Sequence, residues 1–309
     1  MACIAKIILI LALLCSPVSA ENLRVISLYP GHSDNIFAMG GKDLLIALSE
    51  NDDEDLLPEL PRISLRTGAE KVLALKPDIV VTRSFAMKIN PNLYEVLENA
   101  GVKILCLDPP EFNEFDDYLK TLATSLSLHD ISRFCLTSLS INRHLPLERG
   151  DRECEEEEAS PFYGEVSHEV RRRGNGVVGK PKVFVEATGR EIHTCSPNSW
   201  AANLIFMAGG INIAKDAEPL RKGSSISAWG VERVLKSLDD LDIYIIQTGA
   251  MNNTTLENFY NREWTKALKD RNIKVYEIPE RFLSRPSLIG REKALKELTK
   301  IFNEWKSEN

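Results

Sequence analysis

Gly68 to Val81 reads GAEKVLALKPDIVV, and Gly230 to Ile246 reads GVERVLKSLDDLDIYII. Gly230, Glu232, Val234 and Leu235 stand in the second stretch where Gly68, Glu70, Val72 and Leu73 stand in the first. Each reads as a short helix followed by an almost continuously apolar run, the signature of a strand buried on both faces. On a helix of 3.6 residues per turn Val72 and Leu75 share the inward face and Glu70 lies nearly opposite, in solvent. A repeat of this kind decides an architecture before any single motif does.

Working outward, the echo extends along most of the chain. LRVISL matches PKVFVE, NIFAMGG at Asn35 to Gly41 matches LIFMAGG at Leu204 to Gly210, DIVVTR matches DIYIIQ, and KILCLD matches KVYEIP at Lys274 to Pro279. Amphipathic helices, Phe115 to Ser127 and Arg291 to Lys306, close the two halves. Tyr29 to Ser33 reads as a turn, with a helix from Asp34 to Met39 and another around Asn92 to Ala100. Strands alternating with helices predict an α/β fold of two similar lobes with mainly parallel central sheets, joined by a helical linker and facing each other across a ligand cleft. The expected divisions are 1–20, 21–127, 128–179 and 180–309. Ligands of such sheets bind beyond the carboxyl ends of the strands.

The first division reads as a signal peptide. Lys6 is a positive n-region, Ile7 to Cys15 is an apolar run too short to span a bilayer, and Val18-Ser19-Ala20 places small residues before Glu21. A lipid anchor on Cys15 would need a small residue before it, where Leu14 stands, so an exported, periplasmic protein is expected. The 128–179 linker carries the charge blocks Glu153 to Glu158 and Arg171 to Arg173, with Pro146 and Pro161 interrupting any long helical period; only His129 to Asn142 has an apolar stripe. Net charge is -7 with 27% charged residues, which argues against nucleic acid as a partner. Export permits disulfides among Cys106, Cys135, Cys154 and Cys195, and sequence cannot choose the pairing. Cys106, inside KILCLD, is expected to be buried.

RVISLYPGHSDNIFAMG, the GAEKVLALKPDIVV block, PKVFVE with LIFMAGGINIA, GVERVL, and RFLSRPS at Arg281 together resemble the class III periplasmic binding proteins, receptors of ATP-binding cassette importers for corrinoids, ferric siderophores and haem. The resemblance covers nearly all of 23–126 and 180–305. It implies a receptor, acting as a monomer, that presents a metal chelate to a permease and ATPase complex. It also implies no intrinsic cofactor, the iron or cobalt belonging to the transported ligand. In that family a glutamate on each lobe docks onto permease arginines, and Glu70 and Glu232 match those positions. The linker departs from the family's single long helix.

Strand ends supply the candidate ligand contacts. In the first half they are Tyr29, His32, Arg66, Arg83 and Phe85; in the second, Thr188, Arg190, His193, Trp229, Met251, Arg281 and Phe282. Arginines suit carboxylates, phosphates or an anionic ferric chelate, and aromatics suit a large flat ligand. His32 and His193 are candidate metal ligands, which leaves direct metal-ion binding as one alternative. A secreted hydrolase with His193 as base and Ser196 as nucleophile is a second, and a protein-interaction module built on the charged middle segment is a third. The chain has no GxSxG elbow, P-loop, HExxH or dinucleotide fingerprint, so a binding protein without enzymatic activity is the leading expectation.

Overall fold

The computed structural model describes residues 23–128 and 179–309. The segment expected to be a signal peptide, with Cys15, and almost all of the expected linker, with Cys135 and Cys154, lie outside the described residues. Those described form two compact units, one comprising 23–109 and 120–128, the other 110–119 and 179–309.

The first unit is a parallel sheet. Its elements are β1 (Val25–Ser27), α1 (Pro30–Ala38), β2 (Leu45–Ser49), β3 (Arg62–Ile63), α2 (Ala69–Leu73), β4 (Ile79–Thr82), α3 (Ser84–Ile89), α4 (Pro91–Asn99) and β5 (Lys103–Cys106). The strand order is β3-β2-β1-β4-β5, with Val25 opposite Ile79 and Ile79 opposite Lys103. Val25, Ile26, Val80, Val81, Ala47 and Leu48 are buried, as continuous apolar runs in a sheet covered on both faces must be. Val72 anchors α2 against this core, while Glu70 is exposed in the helix's first turn.

Two expectations change here. The helix after β1 begins at Pro30, not at Asp34: proline's fixed φ and missing N–H suit the first helical position, and Tyr29 caps it in an extended conformation. His32 therefore sits inside a helix turned toward the core. Cys106 is exposed because β5 is the edge strand, covered only in part.

Helix α5 (Phe115–Ser125) follows, its residues to Leu119 grouping with the second unit and the remainder with the first. Phe115 packs within the second unit, its ring 4.7 Å from that of Trp200 and beneath the Arg291 guanidinium.

The second unit contains β6 (Lys182–Glu186), β7 (His193–Cys195), α6 (Trp200–Met207), β8 (Ile211–Asn212), β9 (Ile226–Ala228), α7 (Val231–Lys236), β10 (Ile243–Thr248), α8 (Leu256–Tyr260), α9 (Lys266–Asp270), β11 (Lys274–Pro279), α10 (Glu280–Leu283) and α11 (Leu288–Glu308). Its parallel sheet runs β11-β10-β6-β8, the same order as β5-β4-β1-β2. The repeat reaches single hydrogen bonds. Asp78 accepts from the backbone N–H of Arg24 at 2.8 Å, and Asp242 accepts from that of Lys182 at 2.9 Å. Helices α1 and α6 end alike: Gly40 and Gly209 take φ of 86° and 88°, and the next glycine's N–H reaches back to Ile36 and to Ile205. Strands β7 and β9 form a separate antiparallel pair with His193 opposite Ala228.

Candidate functional site

Because every strand of each main sheet points the same way, the residues that follow the strands collect at one edge of that sheet. In the first unit these are Tyr29 after β1, Arg83 after β4 and Asp108 after β5. The Arg83 guanidinium lies 4.6 Å from the centre of the Tyr29 ring and 5.1 Å from that of Phe85. Such contacts contribute about 0.5–1 kcal/mol each at exposed sites and hold the charge in place. Asp108 accepts from both the backbone N–H and the hydroxyl of Ser84, fixing the start of α3. Phe85 is left 55% exposed beside the arginine. A cation bordered by two aromatic faces, one freely presented, suits a flat or anionic ligand.

His32 does not join this surface. It is fully buried, with Nε2 3.2 Å from the carbonyl of Thr82. Burial holds its pKa down to about 4, against the raising effect of backbone groups of Thr82 and Leu107. The ring is thus a neutral core group, packed edge-on against Tyr29, and the expectation that it reaches a ligand or a metal is corrected. Arg66 is exposed on the turn after β3, and its described bond is a backbone one to Ser64 Oγ. No described contact brings it to Arg83.

In the second unit a groove of about 650 Å³ gathers Arg190, Glu191, His193, Trp229, Arg262 and Trp264. One wall is the loop after β6 and the start of β7; the other runs from the end of β9 into α7, and the backbone N–H of Gly230 bonds the carbonyl of Ile192 across the two. His193 has Nδ1 2.8 Å from Thr188 Oγ1 and Nε2 3.6 Å from Glu191 Oε2. Trp229 is buried under the Arg233 guanidinium at 3.6 Å, and Arg233 is held by Asp216 at 2.8 Å.

Behind the groove lies a buried polar network at the end of β6. Glu186 is fully buried and accepts from Tyr244 Oη at 2.6 Å, Arg262 Nη1 at 2.9 Å and Asn252 Nδ2 at 3.2 Å. Arg262 Nη2 donates to Thr254 Oγ1. Burial, and then the neighbouring Glu186 carboxylate, raise the Tyr244 phenol well above its ordinary pKa, so it stays a donor. Arg262, Tyr244 and Asn252 carry no sequence motif. The available signal was the single glutamate ending the otherwise apolar strand KVFVE, which required a buried partner.

Met251, Arg281 and Phe282 lie at the ends of β10 and β11. Met251 is 48% exposed, its N–H donates to Glu280 Oε2, and Arg281 lies 5.2 Å from the Phe282 ring centre. Glu232 is exposed in the first turn of α7, as Glu70 is in α2. Ser196 donates to the carbonyl of Ser224 and shares a bond with Ser227, and no described bond joins it to His193. Ser196 follows β7, and its hydroxyl is engaged by Ser224 and Ser227, not by the His193 imidazole. Among the described residues no group of three or more His, Cys, Asp or Glu side chains could hold a metal ion.

No family model matches the chain. It is 26% identical over 209 residues to a vitamin B12-binding protein of Pectobacterium carotovorum, an alignment that spans 66% of this chain and 66% of that protein. Among solved structures, the periplasmic haem-binding protein HutB of Vibrio cholerae superposes with a TM-score of 0.66 at 14% identity, covering 91% of this chain and 100% of its own. The periplasmic vitamin B12-binding protein BtuF of the same organism gives 0.57 at 18% identity, with 92% and 97% covered. At these identities the likeness to the solved structures is one of fold: the described residues share the mixed α/β fold with parallel sheets of these periplasmic binding proteins.

Proposed function

We propose that this protein is the exported receptor of an ATP-binding cassette importer, capturing a metal chelate such as a ferric siderophore, corrinoid or haem and delivering it to the permease. The observation that carries the reading is the repeated sheet edge, where each unit gathers cations and aromatic rings and, among the described residues, no nucleophile paired with a base. Arg83 between Tyr29 and Phe85 is the contact surface of the first unit. Arg190, His193 and Trp229 form that of the second, with Met251, Arg281 and Phe282 at the neighbouring strand ends. Glu70 and Glu232 occupy equivalent exposed positions on repeated helices and serve as docking charges, where complementarity sets orientation and encounter rate more than affinity.

The test is titration of the purified protein with haem, cyanocobalamin and a panel of ferric siderophores, followed by tryptophan emission. Saturable, stoichiometric quenching by one of them is expected, and silence across the panel overturns the ligand class. Replacing Glu70 and Glu232 together by alanine should leave that affinity unchanged and abolish uptake in cells; normal uptake by the double variant removes the docking role.

A further inference from the structure

The second unit's groove has more built into it than a contact surface requires. Arg262 lines it with a side chain only 21% exposed, and behind that side chain Glu186 is 0% exposed. A guanidinium carries five N–H donors in a rigid plane. The described bonds use Nη1 toward Glu186 and Nη2 toward Thr254, leaving hydrogens uncommitted. Glu186 is itself held by Tyr244 and Asn252, so the arginine is anchored to a buried carboxylate that is fixed from behind. Burying a carboxylate carries a desolvation penalty that only good geometry offsets. A loosely held surface arginine would need none of it.

The remaining polar side chains of the groove are Arg190, exposed at its rim, the His193 imidazole, and Glu191, whose side chain is 82% exposed and lies beside His193. Glu186 compensates the charge of Arg262 from within and does not face the groove. On the groove wall two arginines stand against the one carboxylate, Glu191, and the indole rings of Trp229 and Trp264 border it.

We infer that this groove is an oxyanion subsite, in which Arg262 is the contact residue, Arg190 a second cation, and Glu186 the positioning residue that aims Arg262. The inference rests on the receptor reading for its purpose and narrows the cargo to chelates that carry a carboxylate or a phosphate. Bidentate pairing of a preorganised guanidinium with such a group is the geometry that arginine, and not lysine, provides.

Citrate and inorganic phosphate are the probes, titrated at low ionic strength against tryptophan emission, with Trp264→Phe identifying the local signal. Saturable binding is expected for at least one. Carboxylate-selective binding and phosphate-selective binding both support the subsite and distinguish the two sources. Arg262→Gln alone strands Glu186, so the decisive variant is E186Q combined with R262Q, which keeps a neutral hydrogen-bonded pair. It should weaken the probe at least tenfold, and Arg190→Gln a few-fold, with quenching by neutral acrylamide unchanged. Arg262→Lys, which keeps the charge, should not restore affinity. No saturable binding of either oxyanion, or wild-type affinity in the double variant, overturns the subsite. The receptor reading fails separately: oxyanion binding with no chelate bound removes the receptor and leaves the groove, whereas chelate binding indifferent to the double variant does the reverse.

Discussion

The two units share a frame and differ at its working edge. Register aligns Val25 with Val183 and Ile79 with Ile243, and from there the residues can be matched along the strands. Asp78 and Asp242 make the same backbone bond, and α1 and α6 end in the same capping turn. Along these strands the identities part. Leu28 of the first unit stands where Glu186 does in the second, Val80 where Tyr244 does, and Arg83 where Gln247 does. The first unit closes its core with apolar groups and a neutral histidine and displays its arginine on the surface; the second buries a carboxylate and ties its arginine to it. These differences change what each unit buries and displays while the shared backbone frame is kept.

The largest expected consequence of that difference is Arg262→Ala. It leaves Glu186 buried and uncompensated, for which about 3–5 kcal/mol is the ordinary cost. Urea unfolding should show the transition of the second unit shifted by that amount and the first unit's unmoved. A loss below about 1 kcal/mol would mean that the pair is water-filled or exposed in solution, and the contrast between the units would collapse.

Next in size is the acid response of the first unit. His32 is neutral in the fold, with a pKa of about 4, and the unfolded chain takes up a proton below about 6.5. The unfolded state binds more protons between these values, so the stabilisation is complete above pH 6.5 and is lost as pH falls toward 4. At about 1.36 kcal/mol per unit the loss is about 3 kcal/mol. His32→Gln should flatten this dependence, and the difference between wild type and variant over that window isolates it from carboxylate titrations. Parallel pH profiles for the two proteins would show that the ring is solvated.

Much of this frame was legible in the chain. DIVV and DIYII, KVFVE and VIS announce buried parallel strands, and the Gly-Gly pairs announce helix ends, because local backbone preferences act there in the direction of the fold. The candidate site was legible only by position. Arg83, Phe85, Arg190, His193 and Trp229 follow strands or precede a helix that the pattern had already placed. His32 was misread for a physical reason: the turn residues Tyr29-Pro30-Gly31 conceal that proline opens a helix, which carries the imidazole inward. Arg262 lay beyond reach, since its role depends on Glu186, distant in sequence and unmarked by any motif. Short strands such as β3, and the β7–β9 pair, were equally invisible because RI, HTC and ISA lie in no continuous apolar run.

The smallest effect concerns the glycines that open the repeated helices. In sequence Gly68 and Gly230 are equivalent. In structure Gly68 has φ −68° and ψ 150°, within reach of any residue, whereas Gly230 has φ 87° and ψ 154°. A Cβ at either position would meet nothing within 4 Å, so sterics with neighbours do not distinguish them and only the backbone does. Gly68→Ala should stay within about 0.5 kcal/mol of wild type, as surface substitutions do. Gly230→Ala forces an L-residue into a region that costs about 1–3 kcal/mol. It should also disturb the bond from the Gly230 N–H to Ile192, and with it the groove wall. Differential scanning calorimetry of the two variants measures the contrast, and equal shifts in both would mean that the second helix starts as the first does, making the repeat closer than these dihedrals allow.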